Sequence, residues 1–250
     1  QKINMFMINL RNGEIYMIKL KTFGSFTVGN GLTSVQEGAW RSEKLEKLFV
    51  YLAMNRNRGV CIEDISEAIW QVEEETDNPV GALKNLAYRL RKALRDASFG
   101  EECIVSVRGG LYKWNDDVEV TIDVEEFDRY INEAEMAFCR SKETAIESYE
   151  KAIALYHGDF LPLRTDTHWF MTLNAFYHSR YVNTVKALAK LYIDTGCYEK
   201  LEQLCTRAIV YERSDEQIYS YLIVARMRTK KVQMAFDTYE TAKAIMDKDL

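Results

Sequence analysis

The sequence predicts an α+β first half followed by an all-α second half. Three observations carry this reading. Short apolar runs broken by glycines precede residue 36, three helical patterns lead into an alternating segment about a Gly-Gly pair, and long amphipathic patterns with recurrent small residues begin near Val120. A length of 250 residues suits one or two domains. With 47% hydrophobic and 28% charged residues the chain can bury a real core, which excludes a disordered tail, a collagen-like fibre and a disulfide-stapled mini-protein. The five cysteines (Cys61, Cys103, Cys139, Cys197, Cys205) form no Cys-x-x-Cys pair and read as reduced thiols of a cytoplasmic protein. The apolar stretch Met5 to Leu10 is interrupted by Asn9 and is too short for a membrane span or a signal core. A start without Met and an end in mid-pattern at Asp249-Leu250 read as a fragment of a longer protein.

Residues 1–18 are expected to be an N-terminal extension. In 18–35, Leu20, Phe23, Phe26 and Val28 alternate with bend signals at Gly24 and Gly29-Asn30-Gly31, so this stretch reads as short strands. Arg41 to Asn55 reads as a helix because Leu45, Leu48, Phe49 and Leu52 fall on one apolar stripe. Glu63 to Trp70 reads as a shorter helix with Ile65 and Ile69 inward, and Gln71 to Asn78 as an acidic loop. The third helix starts cleanly, with Asn78 as N-cap and Pro79 at the first position, where its missing N–H costs nothing. Ile104 to Val107, Gly109-Gly110 and Leu111 to Trp114 then give a hairpin signal. Strands, three helices and a hairpin, in that order, describe a winged helix-turn-helix over 19–118.

Residues 119–250 read as helical repeats. Leu201 and Ala235, Cys205 and Tyr239, Ala208 and Ala242, and Leu191 and Ala225 are each separated by 34 residues, the period of tetratricopeptide-like solenoids. Ala145, Tyr149 and Ala152 repeat the internal spacing upstream, and a longer element near Gly158 to Phe170 interrupts it. The Met and Tyr stripes here read as solenoid core, with one of Tyr177, Tyr181 or Tyr219 a candidate to line an exposed groove.

The net charge of −5 argues against a generally basic surface, but the charge is uneven. Pro79 to Arg95 holds Lys84, Arg89, Arg91, Lys92 and Arg95 and no acid. Leu83, Leu86, Ala87, Leu90 and Leu94 make its apolar side. Lys84, Tyr88, Arg91 and Arg95 then fall opposite, with Asn85 and Lys92 beside them. In this reading Asn85 and Arg91 meet base edges. Lys84, Arg89, Lys92 and Arg95 meet phosphates, and Tyr88 meets a thymine methyl or a sugar. Arg108 and Lys113 of the hairpin are candidates for backbone or minor-groove contact, and Arg41 and Lys44 for phosphate contact near a helix start. A solvated cationic face is the bland alternative. His157, His168 and His178 have no metal-ligand spacing, and neither a P-loop nor a Gly-x-Ser-x-Gly elbow occurs, so no metal, cofactor or catalytic residue is expected.

As an ordered set, these residues resemble a known family: the Streptomyces antibiotic regulatory protein type of transcriptional activator. In this type an OmpR-like winged helix precedes a bacterial transcriptional activation domain. The carriers are Leu20-x-x-Phe23-Gly24-x-Phe26-x-Val28, Arg41-Ser42-x-Lys44 with Leu48 and Tyr51-Leu52-Ala53, Glu63-Asp64-Ile65 ending at Trp70, Ala82-Leu83 through Leu90-Arg91-x-Ala93-Leu94, and Arg108-Gly109. Ile122-Asp123-Val124-x-x-Phe127, Tyr156-x-Gly158-x-x-Leu161 and Trp169 continue the match into the second half. Two departures stand out. Cys61 replaces the usual Ser or Thr cap, and Arg108-Gly109-Gly110-Leu111-Tyr112 lacks the second glycine of an Arg-Gly-x-Gly-Tyr wing. The pattern stops near Leu250 where the family continues, which reads as C-terminal truncation.

The resemblance implies a non-enzymatic, sequence-specific activator that binds direct repeats in double-stranded promoter DNA as a homodimer. It also implies recruitment of RNA polymerase, including its sigma subunit. By position the polymerase-facing loop is Gln71 to Asn78, with Gln71, Glu73, Glu74, Glu75 and Asp77 as contact candidates. The alternatives are a helical-repeat interaction scaffold, and an effector-sensing regulator whose repeats bind a peptide or metabolite.

Overall fold

The computed structural model describes residues 17–31, 33–70, 78–99, 103–107, 110–164 and 166–249. Two compact units emerge: residues up to Glu125 together with Phe160–Asn174, and Glu126–Asp159 together with Ala175 onward. Phe160–Asn174, which overlaps the break in the repeat expected near Gly158 to Phe170, belongs with the first unit.

The first unit opens with β1 (Ile18–Lys21), β2 (Thr27–Gly29) and β3 (Ser34–Gln36), followed by α1 (Glu43–Met54), α2 (Ile62–Ile69) and α3 (Pro79–Asp96). β4 (Ile104–Val107), β5 (Leu111–Trp114) and β6 (Val120–Ile122) come next. The sheet order is β3-β2-β1-β6, antiparallel except for the parallel β1–β6 pair, whose register sets Ile18 beside Val120 and Leu20 beside Ile122. β4 and β5 form the hairpin, and Tyr112 bridges to Val60 ahead of α2. Alternation along β1 puts Ile18 and Leu20 in the core and Lys19 and Lys21 in solvent.

Local chemistry explains where the helices begin. Asn78 Oδ1 accepts from Gly81 N at 2.8 Å, the cap expected ahead of Pro79. Cys61, a poorer acceptor, still caps α2: its Sγ accepts from Asp64 N at 3.4 Å. α1 starts at Glu43 rather than Arg41, because Arg41 holds a left-handed backbone (φ 51°) that cannot continue into a right-handed turn.

α1 departs from the expected single stripe. Besides Leu45, Leu48, Phe49 and Leu52, it buries Glu46, Lys47, Val50, Tyr51 and Ala53. Residues 160–170 cover its second face. Leu161 N donates to Thr22 O, Arg164 pairs with Glu46, Lys47 pairs with Asp166, and Thr167 Oγ1 donates to Ala68 O. Buried charges are tolerated where each meets an opposite charge, since an unpaired one would cost several kcal/mol, on the order of 3–5. Asp123, just after β6, ties the same region together. Its carboxylate accepts from Thr22 N, Thr22 Oγ1, Phe23 N and Val124 N at 2.6–3.0 Å, while burial pushes its pKa above the ordinary carboxylate value against the pull of those donors.

The second unit contains the greater part of α4 (Asp123–Ala137), α5 (Lys142–Leu155), the later turns of α6 (His168–Thr195), and α7 (Tyr198–Tyr211), α8 (Glu216–Arg228) and α9 (Val232–Asp249). The 34-residue period is the offset of α7 from α9. Leu201 and Ala235, and Ala208 and Ala242, are buried pairs of equivalents. Cys205 is buried whereas its equivalent Tyr239 is 53% exposed. Ala145, Tyr149 and Ala152 are buried on α5 as the spacing predicts. Tyr177, Tyr181 and Tyr219 do not line an exposed groove. All three are buried, and Tyr181 stacks on Tyr156 with ring centroids 3.8 Å apart, because in this helical packing their rings fill the space between helices. Among the described residues, no helix is long and apolar enough to cross a membrane.

Candidate nucleic-acid interface

The site is one face of α3. Leu83, Leu86, Ala87, Leu90 and Leu94 are buried, which anchors the helix and fixes which side chains stand outward. Lys84, Asn85, Tyr88, Arg89, Lys92 and Arg95 are all exposed, Tyr88 at 64%. At about 100° per residue the middle of this exposed arc falls near Lys92, with Tyr88 and Asn85 on either side. Of the row Lys84-Tyr88-Arg91-Arg95, read from sequence as the opposite face, Tyr88 stands near the middle, whereas Lys84, Arg91 and Arg95 lie toward one flank. Arg91 shows this most clearly. It is half-buried, and its Nε donates to Ile104 O of β4 at 3.1 Å, so the guanidinium is held toward the hairpin.

Val80 is a further outward residue of α3, outside the set expected from the sequence. It is 44% exposed in the first turn of α3, one turn before Lys84. The signal available was the run Pro79-Val80-Gly81, where an apolar residue follows the cap without belonging to the Leu83-Leu86-Leu90 stripe.

The remaining candidates divide. Lys113 lies on β5 and pairs with Asp116. Arg41 is exposed and precedes the Ser42 N-cap. Lys44 is half-buried with its ammonium 5.9 Å from the centre of the Trp70 ring. The first turn of α1 carries Glu43 and Glu46, which already place negative charge on the positive end of that helix. Arg108 and the loop candidates Gln71, Glu73, Glu74, Glu75 and Asp77 lie outside the described residues. Among the described residues no group of three or more His, Cys, Asp and Glu side chains is arranged to hold a metal ion.

Of the histidines, His178 has a specific setting in the second unit. Its Nδ1 lies 2.8 Å from Asp159 Oδ1 and its Nε2 3.0 Å from Glu212 Oε2. The hydrogen bond to Asp159, supported by Glu212, pushes its pKa up to about 9 although burial opposes the charge. Asp159 is correspondingly lowered, first by the bond to His178. The cluster ties α6, the segment after α5 and the end of α7 together.

A winged helix with an exposed cationic helix face thus precedes helical repeats in one chain. Residues 122–250 match the bacterial transcriptional activator domain, and the chain belongs to that family. A winged helix followed by helical repeats is also the fold that the resemblance implied. No curated protein matches the chain. Among solved structures it is similar to Mycobacterium tuberculosis EmbR in complex with a low affinity phosphopeptide, at 18% identity and a TM-score of 0.71. The match covers 93% of this chain and 60% of that one, so the chain spans about three fifths of that relative's length. At such identity the likeness is one of fold.

Proposed function

We propose that this transcriptional regulator binds double-stranded promoter DNA through α3, is not an enzyme, and activates by recruiting RNA polymerase. The observation that supports this most is the exposed arc of α3, where Lys84, Asn85, Arg89, Lys92 and Arg95 stand outward with no acid between Pro79 and Arg95. An α-helix fits the major groove, and a hairpin alongside it suits backbone or minor-groove contact. Lys84, Arg89, Lys92 and Arg95 meet phosphates. Asn85, beside the middle of the arc, reads a base edge, adenine being the natural partner of an amide. Val80 and Tyr88 offer apolar contact to thymine methyls or sugars. Arg91 ties α3 to β4 and so sets where the hairpin meets the duplex. Lys113, Arg108, Arg41 and Lys44 complete the candidate contacts.

In this reading two protomers bind direct repeats head to tail, and the loop Gln71 to Asn78 offers its acidic side chains to polymerase, including the sigma subunit. The repeats add dimer or polymerase contacts, and the protein works in the cytoplasm without a cofactor.

Binding to promoter fragments at several salt concentrations tests the DNA step. Each phosphate contact contributes about −0.9 to the slope of log K against log salt. Lys84→Ala and Lys92→Ala are each expected to flatten the slope by about one unit on every sequence. Asn85→Ala is expected to cost about 1–3 kcal/mol on the specific site and little elsewhere. Unchanged slopes in both lysine variants would overturn the assignment of α3.

A further inference from the structure

Far from the exposed arc of α3 in its chemistry, the first unit holds a cleft of about 440 Å³ with a mixed lining. That is within the usual range of small-molecule sites, roughly 300–1,000 Å³. Its floor is aromatic: Tyr51 of α1 and Trp169 of α6 meet edge to face with centroids 4.9 Å apart. Ala68 and Leu173 add apolar surface. Asp64 and Glu67 of α2, three residues apart and therefore on one helix face, form one wall, and Arg58, His168 and Thr172 complete the rim.

Two observations within this cleft point to a ligand. Tyr51 is 3% exposed, lines the cleft, and its hydroxyl has no hydrogen-bond partner among the described residues. The ring is buried while the hydroxyl opens into the cleft, where a bound polar group can take it as a hydrogen-bond partner. The field at that hydroxyl is also net negative. Burial raises the Tyr51 pKa most, and Asp64 and Glu67 raise it further against the opposing pull of Arg58. Arg58 itself holds Asp64 only loosely, at 4.0 Å, and Glu67 has no ion pair among the described residues. Carboxylates above an aromatic floor are the arrangement that suits an organic cation, by charge and by attraction to the ring faces.

We propose that this cleft binds a small organic amine, its ammonium group between Glu67, Asp64 and the Tyr51 hydroxyl and its apolar body against Trp169 and Leu173. Arg58 competes for Asp64 and thereby limits affinity. The site lies on α1, α2 and the start of α6, apart from the proposed base-reading residues, so its occupancy can be measured without DNA. Because α2 and α3 belong to the same helix-turn-helix, a bound amine is placed to bias DNA affinity.

Calorimetric titration of the full chain with tyramine tests this, with N-acetyltyramine as the uncharged control. The peptide acetyl-Gly-Lys-Gly-amide stands in for a lysine side chain of a partner protein. Saturable binding of tyramine is expected, with none for the control and weaker binding for the peptide. Glu67→Gln, a change on an exposed helix position, is expected to weaken tyramine about tenfold, as the loss of one charge-assisted hydrogen bond does. Arg58→Ala is expected to tighten it several-fold. DNA binding by Glu67→Gln without amine should equal that of the parent, which separates this site from the DNA reading. The proposal is overturned if tyramine fails to saturate, if Glu67→Gln leaves binding unchanged, if Arg58→Ala weakens it, or if the control or the peptide binds as tightly.

Discussion

Lys47 and Asp166 form a pair whose two halves should respond very differently to mutation. The Lys47 side chain is 2% exposed and Asp166 is 33% exposed. Replacing Asp166 with Ala strands an ammonium group inside the first unit, above the Phe170 ring. Loss of one partner of a fully buried pair costs about 3–5 kcal/mol; partial water access at Asp166 lowers this to about 2–4. Replacing Lys47 with Met leaves only a carboxylate that water already reaches, and the thioether chain fills the same slot over Phe170. That change should fall within about 1 kcal/mol of neutral in either direction. All four tryptophans (Trp40, Trp70, Trp114, Trp169) lie in the first unit, so their fluorescence follows it without contribution from the repeats. With a urea m-value of about 2 kcal/mol/M, Asp166→Ala is expected to lower the midpoint by about 1–2 M. Lys47→Met should barely move it, and adding Lys47→Met to Asp166→Ala should restore most of the loss. Equal destabilisation by the two single variants, or no rescue in the double variant, would refute the reasoning.

Two further outcomes follow from the helix ends and the histidine cluster. Cys61→Ser substitutes a stronger acceptor at the α2 cap, where Sγ now accepts from Asp64 N at 3.4 Å. It should stabilise the first unit by roughly 0.5 kcal/mol, read as a small upward shift of the tryptophan-monitored melting temperature, whereas Cys61→Ala should lower it. In the second unit, the His178 pKa is raised from 6.5 to about 9 by Asp159 and then Glu212. A raised pKa adds stability that is fully present below the unfolded value and lost as pH rises through the folded one. Helicity measured by circular dichroism during urea unfolding should therefore show the second unit weakening between about pH 6.5 and pH 9. With the side chain 27% exposed, the loss is on the order of 1–2 kcal/mol after allowance for solvent screening. A His178→Ala variant should be less stable at neutral pH and flat across that window. A parent whose stability is constant there would refute the assignment.

What the sequence disclosed and what it concealed divide along a physical line. Asn78-Pro79, the Gly-Gly hairpin and the Leu83-Leu86-Leu90-Leu94 stripe are local signals, each settled within a few residues by caps, turn chemistry and helical period, and each stands where the sequence put it. The second face of α1 was not legible. Glu46 and Lys47 are polar residues in a helix, and residue type assigns them to solvent. Their burial follows from Arg164 and Asp166, more than a hundred residues away, and no periodicity in α1 anticipates partners at that separation. The site divides along the same line. Reading the row Lys84-Tyr88-Arg91-Arg95 as the middle of the face sets Arg91 with the outward residues of α3, whereas the buried stripe Leu83-Leu86-Leu90-Leu94 puts it at the edge. The carbonyl of Ile104 on the hairpin claims its Nε and holds the guanidinium at the edge of the arc, toward the hairpin. Residue type and helical period therefore fix how much charge α3 carries and where its exposed arc lies, whereas the neighbouring strand decides which way the Arg91 guanidinium turns. A substitution in β4 that shifts the Ile104 carbonyl should in consequence alter DNA recognition without touching any side chain on the outward face.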